Sequence, residues 1–164
     1  AAPQVGAMVL NTNSDAAAFS EYGLPVVQDA VDGFAGPLAG VLTGLEWARD
    51  NAPGCDWVAS FACDAPFAPA DLVARLLEAV TSMDADMACA ASGGRDHPVF
   101  ALWPVRLAGA LREAVVDRGV RKVDVWTGEY RLARAEYGTD PVDPFFNVNR
   151  PDDLAAAEAL LAAA

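Results

Sequence analysis

The run WVASFACDAPFAP, from Trp57 to Pro69, restricts the fold more than any other stretch of the chain. Trp57, Val58, Phe61, Ala62 and Cys63 are apolar, and Ser60 is the polar residue among them before Asp64 ends the run. A short apolar run bounded by turn residues predicts a strand, here Trp57 to Cys63, covered on both faces as in a parallel sheet. Open α/β sheets bind ligands at the carboxyl ends of their strands, and Asp64 stands at that end. Pro66 and Pro69 fix the loop that follows and start the next helix.

The rest of the chain alternates in the same way. Val5 to Leu10 reads as a strand, NTNSD as a polar turn, Ala16 to Tyr22 as a short helix, and Pro25 to Gln28 as a short strand ending at Asp29. The glycine-containing loop Ala30 to Gly40 runs into a helix at about Pro37 to Asp50, where the missing proline N–H would be unpaired anyway. Leu72, Val73, Leu76, Leu77 and Val80 recur at helical spacing and predict a helix from Ala70 to Ser82. Strands over Met87 to Ala91 and Val99 to Trp103 flank the turn SGGRDHP. A helix over Arg106 to Asp117 is stopped by Gly119. A second short helix, Val120 to Trp126, and a strand, Arg131 to Glu136, follow. YGTDPVDPFFNVNRP is irregular, and the last helix runs from Asp152 to Ala163, its first-turn carboxylates favoured by the helix dipole. Strands alternating with helices predict a mostly parallel sheet with helices on both faces. With no repeat or long linker to divide it, residues 1–164 form one α/β domain.

Composition narrows the function. A chain of 164 residues, 54% hydrophobic, can bury a sizeable core. Its net charge of −12 repels a polyphosphate backbone. The dense basic patches, DRGVRK (Asp117 to Lys122) and YRLAR (Tyr130 to Arg134), suit one small phosphorylated ligand rather than nucleic acid. No apolar stretch reaches the roughly 20 residues of a membrane helix, and no secretory signal opens the chain. Cys55, Cys63 and Cys89 form no CxxC pair, which points to buried thiols in a reducing cytoplasm. With His97 the single histidine, a zinc site built from Cys and His is not expected.

Asn11, Asp29 and Asp64 each follow an apolar strand. Asn and Asp also serve in turns and helix caps, but recurrence at three strand ends beside a Gly-Pro loop points to a binding crevice. Asp64 is the candidate catalytic and metal-binding residue: one carboxylate can hold Mg²⁺, whose other ligands are water and substrate phosphates, as phosphoryl or nucleotidyl transfer requires. In ASGGRDHPVFALWP, Gly93 and Gly94 permit a tight turn from whose tip Arg95 and His97 project. Arg95 makes that turn a candidate anion site, and Arg118, Arg121 and Lys122 add charge nearby in sequence. In FFNVNRPDDL, Asn147 and Asn149 alternate, so in an extended segment they point the same way and could bind a heterocycle; an Asx turn before the helix is the alternative.

The order of GFAGPLAGVLTGLEWA, FACDAPFAP, GGRDHPVFAL, GVRKVDVW and DPFFNVNRPDDLAAAE resembles the molybdenum cofactor guanylyltransferases, the MobA family. RDHPVFAL and FFNVNRPDDL are the specific parts; GPLAG and CDAP are shared with other nucleotidyltransferases of this fold. The resemblance implies a Rossmann-like three-layer αβα enzyme that joins GMP from Mg-GTP to the terminal phosphate of molybdopterin and releases pyrophosphate. It implies Asn11, Asp29, Gly36 and Pro37 as nucleotide-binding, with Asp64 on Mg²⁺ and the GTP phosphates. It places Arg95, His97, Arg121, Lys122, Asn147 and Asn149 on the pterin side. Other cofactor-biosynthesis proteins and apo-molybdoenzymes are the implied protein partners.

One departure accompanies it. The family opens with a strand, a glycine-rich loop carrying Arg and Lys, and a helix, a βα unit of roughly 30 residues; this sequence begins after it. The expectation is therefore that the 164 residues are part of a longer protein and do not catalyse transfer alone. Three other readings compete: a CTP-using enzyme on the same cofactor or another nucleotidyltransferase, a non-catalytic domain that binds and delivers the pterin, and a plain α/β scaffold.

Overall fold

A computed structural model describes all residues except 32, 34, 35 and 164. Its centre is β4 (Met87–Ser92), every residue of which is buried. β4 pairs in parallel with β6 (Leu132–Tyr137) and antiparallel with β5 (Arg95–Pro104), and β5 pairs antiparallel with β3 (Trp57–Ser60). The order is β3-β5-β4-β6, so β3, β4 and β6 share one direction and β5 runs against them. A two-stranded parallel pair, β1 (Leu10–Asn11) and β2 (Val26–Val27), stands beside α1 (Pro37–Asn51). The α/β class expected from the sequence is the one observed, with the two-stranded sheet parallel and the four-stranded sheet mixed.

Alternation along the strands builds two cores, one per face. Met87, Cys89, Ala101 and Trp103 pack with Leu38, Leu42 and Leu45 of α1 and Leu111 and Val115 of α3 (Ala108–Val116). Trp126 of α4 (Val123–Thr127) closes that layer, its ring 5.9 Å from Trp103. On the other face Ala88, Ala90, Ala133 and Ala135 lie under Leu72, Leu76 and Val80 of α2 (Leu72–Ser82), and their small side chains leave room for the helix. Phe100 and Phe145 extend this second core. The result is three layers, helix on sheet on helix. No described helix is long and apolar enough to cross a membrane.

Several boundaries differ from expectation, each for a local reason. The strand predicted over Val5–Leu10 shrinks to Leu10–Asn11, because its partner β2 is only Val26–Val27, bounded by Pro25. Ala16–Tyr22 is a 3₁₀ turn rather than an α-helix, opened by Asp15, whose side chain accepts from the Ala17 N–H. β3 stops at Ser60 rather than Cys63 and is half-buried rather than covered on both faces, since it lies at the end of the sheet order. It stops where β5 bulges: pairing jumps from Cys89–Ala101 to Ala90–His97, leaving residues 98–100 out of register, and Pro98 has no N–H to offer a neighbour. Ser60, the polar residue inside the apolar run, serves that bulge. Its hydroxyl donates to the Val99 carbonyl at 2.6 Å and accepts from Trp103 Nε1 at 2.8 Å.

β4 runs one residue further than expected, and β5 begins at Arg95 rather than Val99, because Gly93 (φ 55°) and Gly94 (φ 75°) alone make the hairpin turn. The helix expected from Arg106 begins as a 3₁₀ turn, Val105–Leu107, before α3. The next begins at Val123 rather than Val120, whose N–H instead turns back to the Ala114 carbonyl at 2.9 Å. β6 is shifted one residue on, and α5 (Pro151–Ala163) begins at its proline. Of the thiols expected to be buried, only Cys89 is; Cys55 and Cys63 are exposed, in the turns that flank β3. Burial pushes the Cys89 thiol up to about 12, so it is protonated and inert.

Gln4 ties the start of the chain to α2. Its Oε1 accepts from the Val73 N–H at 2.9 Å and its Nε2 donates to the Pro69 carbonyl at 3.0 Å. No side chain of Asp71, the residue before α2, caps the helix, so Gln4 satisfies an N–H that would otherwise lack a partner. Gln4→Ala is expected to lower stability by about 1 kcal/mol. In urea unfolding the midpoint should fall with an unchanged slope.

Candidate functional site

Two clusters of polar side chains lie at the ends of the strands. The first is built on β1 and β2. Asn11 Nδ2 donates to Asp29 Oδ1 at 3.1 Å and to the Val27 carbonyl at 3.2 Å. Asn13 then holds Asp29 from the other side: its Nδ2 donates to Oδ2 at 2.8 Å and its Oδ1 accepts the Asp29 N–H at 2.9 Å. Thr43, buried in α1, accepts the next N–H, that of Ala30, at 2.8 Å. The predicted pair is therefore in direct contact, and Asn13 and Thr43 were not anticipated. Gly40 was not either: a Cβ there would lie 2.6 Å from Asn11 Oδ1, so its missing side chain admits the asparagine against α1.

Gly36 and Pro37 open α1. Gly36 has φ 71° and ψ −165°, a conformation essentially reserved for glycine, and a Cβ on it would meet the Arg121 carbonyl at 3.4 Å. This loop thus lies against the GVRKVDVW segment, with Lys122 just before α4. The Arg121 side chain itself turns back to the Val115 and Val120 carbonyls, at 2.7 and 3.1 Å.

The second cluster gathers on the segment from Asp143 to Asn149. Asp64 stands four residues beyond β3, in a turn rather than at the strand end as expected. Its backbone carbonyl accepts the Val148 N–H at 2.8 Å, and its half-buried carboxylate has no hydrogen bond or ion pair with any described residue. Val148 lies between the exposed Asn147 and Asn149, so the expected alternation is present and is registered on Asp64. Asp153 Oδ2 accepts the N–H groups of Asn149 and Arg150, at 3.0 and 2.9 Å, as the acid of a capping box does, and so fixes Asn149 at the start of α5.

His97 was expected at the tip of the hairpin and is instead inside β5, half-buried, with its ring 4.6 Å from Phe145. Its Nε2 lies 2.7 Å from Ser92 Oγ, which donates onward to Asp143 Oδ1 at 2.9 Å. Burial pushes the imidazole below its ordinary value; Asp143 opposes that shift, Arg95 adds to it and Asp96 opposes it. Asp96, beside it, is held below the usual carboxylate range by a bidentate pair with Arg134 at 2.7 and 2.8 Å. Arg95 is exposed near the turn.

Cations are distributed unevenly. The chain has 11 Lys and Arg residues. Arg49, Arg106, Arg112, Arg118, Arg131 and Arg134 form ion pairs with carboxylates. Among the described residues, Arg75, Arg95, Arg121, Lys122 and Arg150 have no such pair. Three of these five, Arg95, Arg121 and Lys122, were singled out in the sequence, whereas Arg118, also singled out there, is paired with Glu129; Arg150 adjoins Asn149.

Comparison with known proteins decides the family. The MobA-like NTP transferase domain matches residues 1–130. The chain belongs to this family, and it is a nucleotidyltransferase. The molybdenum cofactor guanylyltransferase of Rhodopseudomonas palustris (strain HaA2) is 52% identical over 159 residues, 97% of this chain and 74% of that protein. The protein of the same name from Bradyrhizobium sp. (strain ORS 278) is 52% identical over 161 residues, 98% and 76% of the two chains. Among solved structures, molybdopterin-guanine dinucleotide biosynthesis protein A from Archaeoglobus fulgidus superposes with a TM-score of 0.69 at 22% identity, over 95% of this chain and 79% of that one. That likeness supports the fold.

Two outcomes follow from the geometry. Gly40→Ala forces Asn11 off its bonds, so the Asn11 side-chain amide signals should move in an NMR spectrum, whereas Gly109→Ala, where a Cβ meets open space, should leave them in place. The lowered His97 pKa means that the unfolded chain takes up the proton first. Its contribution to stability is therefore full above the ordinary 6.5 and lost as pH falls through the lower native value. The thermal midpoint should drop more steeply from about pH 8 to about pH 5 in the wild type than in His97→Gln.

Proposed function

We propose that this protein transfers GMP from GTP to the terminal phosphate of molybdopterin, giving the guanine dinucleotide of the cofactor and pyrophosphate. The relatives named molybdenum cofactor guanylyltransferase, at 52% identity over nearly the whole chain, support GTP as donor. The observation that carries the chemistry is Asp64: an unengaged carboxylate tied through its own carbonyl to the segment that presents Asn147 and Asn149.

Residues of the first cluster bind the donor. Asp29, fixed by Asn11 and Asn13, offers a rigid acceptor to N–H or O–H groups of guanosine, and the Gly36–Pro37 turn lets backbone approach the nucleotide. Asn147, Asn149 and His97 supply donors and acceptors for the pterin, while Arg95 and Lys122, with Arg121, offer positive charge to its phosphate. Asp64 is the residue that would hold Mg²⁺; its hard oxygen donors fit that ion, and no described cluster of three or more His, Cys, Asp or Glu offers a protein cage instead. When bound there, Mg²⁺ offsets charge on the phosphate oxygens.

The pterin phosphate oxygen attacks the α-phosphorus of GTP in line. The new P–O bond forms as the bond to the β-phosphate oxygen breaks, and pyrophosphate leaves with that electron pair. The protein contributes alignment of two anionic substrates and compensation of their charge. The same substrates place the reaction in the cytoplasm, with apo-molybdoenzymes and cofactor-assembly proteins as partners.

The test is Mg²⁺-dependent transfer to molybdopterin by the intact protein, with GTP against CTP. Turnover with GTP is expected. Turnover with CTP alone would overturn the guanine assignment, and pterin binding without turnover would leave a delivery domain. Asp64→Ala should cost at least about a hundredfold in kcat, with an unchanged circular dichroism spectrum; full activity in that variant would remove Asp64 from the site.

A further inference from the structure

We propose that Ser92 and Asp143 are positioning residues which hold His97 with its proton on Nε2, leaving Nδ1 as a hydrogen-bond acceptor for an N–H of the pterin ring. The proposal rests on the pterin-side reading of His97 given above.

The argument is one of donor and acceptor inventory. Ser92 is the last residue of β4 and is only 1% exposed, so its hydroxyl has to find partners inside the protein. It has two, His97 Nε2 at 2.7 Å and Asp143 Oδ1 at 2.9 Å. A hydroxyl carries one proton, and an ionised carboxylate can only accept. The Ser92 proton is therefore committed to Asp143, which also receives the Phe145 N–H on the same oxygen at 3.0 Å. Ser92 Oγ can then only accept from the imidazole, so Nε2 must carry a hydrogen. In the neutral ring this leaves the lone pair on Nδ1, which meets no donor among the described residues.

Three further observations make this a binding device rather than a buried contact. The ring plane is fixed by Phe145, 4.6 Å away and tilted by 32°. Asp143 and Phe145 belong to the stretch that continues to Asn147 and Asn149, so acceptor and amides are placed by one piece of backbone. Burial, which lowers the imidazole pKa against the opposing effect of Asp143, keeps the ring neutral near pH 7. The charged groups that influence it are Asp143 from that stretch and Arg95 and Asp96 from its own strand. The order of groups also excludes a hydrolytic triad. There the imidazole lies between hydroxyl and carboxylate; here the hydroxyl lies between imidazole and carboxylate.

The experiment is a long-range ¹H–¹⁵N correlation of protein labelled at histidine nitrogens, with the His97 signals identified by their loss in His97→Gln. One pyrrole-like Nε2 and one pyridine-like Nδ1 are expected at neutral pH. In Ser92→Ala the two nitrogen shifts should move toward each other as the tautomers mix, and in Asp143→Asn the imidazole midpoint should fall. Molybdopterin should move the Nδ1 shift in the wild type. In the transfer assay Ser92→Ala should raise KM for molybdopterin by about tenfold while KM for GTP stays put. A proton on Nδ1, or tautomer signals indifferent to Ser92→Ala, would overturn the positioning role even if His97→Gln still impairs pterin use. The expected tautomer with a change in KM for GTP alone would instead overturn the pterin-side reading, and with it the acceptor role. Should Ser92→Ala fail to fold, the wild-type nitrogen shifts still decide the tautomer, and the Asp143→Asn midpoint still tests the influence of Asp143 on the ring.

Discussion

Everything in this structure depends on β4 having neighbours on every side. Its six residues are all buried, so each backbone N–H and C=O has to be matched by β5 or β6, and each side chain has to fit a helical layer. Alanine at Ala88 and Ala90 keeps the sheet thin under α2, while Met87 and Cys89 face the layer of α1 and α3. The strand ends at Ser92, a buried hydroxyl. A fully apolar ending would need nothing more, but a hydroxyl there obliges the fold to bring it acceptors and donors. His97 and Asp143 are what it brings. One of the contacts that stabilises the central strand is thus also a contact that shapes the site.

The two halves of the site are specified by different physics. Around Asn11 and Asp29 the determinants are conformational: Gly36 adopts backbone angles closed to other residues, and Gly40 leaves space for an amide. Alanine at Gly36 would strain the backbone, and alanine at Gly40 would push into the Asn11 amide. Around Asp64 and residues 143–149 the determinants are hydrogen bonds to main chain, from Val148 to Asp64 and from Asn149 and Arg150 to Asp153. Irregular backbone of this kind holds one shape because its polar groups have partners, and side chains carried on it are placed by those partners.

This division explains what could be read from the sequence. The helical spacing of Leu72, Leu76 and Val80 and the alternation of strands with helices along the chain are short-range patterns, and they gave α2 and a sheet with helices on both faces. Asn11, Asp29 and the alternation of Asn147 with Asn149 were legible because strand ends and extended segments have fixed periodicity. The extent of β3 was not, because it is set by a bulge in β5, more than 30 residues away in sequence. For the same reason Ser60 read as an exception inside an apolar run, when it is the residue that holds the bulge. His97 was misplaced by counting the hairpin from SGGRDHP; positive φ at both glycines shortens the turn to two residues. Asn13, Thr43, Gly40 and Ser92 left no sequence signal of their own, since each acts through a partner brought near only by the fold.

Electrostatics ties the acidic chain to its anionic substrates. A net charge of −12 opposes the approach of a triphosphate or of any other anionic substrate, and counter-charge helps only where it is not already neutralised. Arg112, Arg118 and Arg134 are each locked to a carboxylate by two hydrogen bonds. Exposed pairs of this sort add little stability, yet they withdraw their arginines from competition for phosphate. Arg95, Lys122 and Arg150 are left among the described residues without such a partner, and each adjoins a motif of the site. The pairing elsewhere on the surface leaves Arg95, Lys122 and Arg150, among the described residues, as unpaired positive charge beside the motifs proposed to bind substrate. For Arg121 the same logic has a local form: its guanidinium rests on carbonyls at the end of α3, neutral acceptors that a phosphate can outcompete.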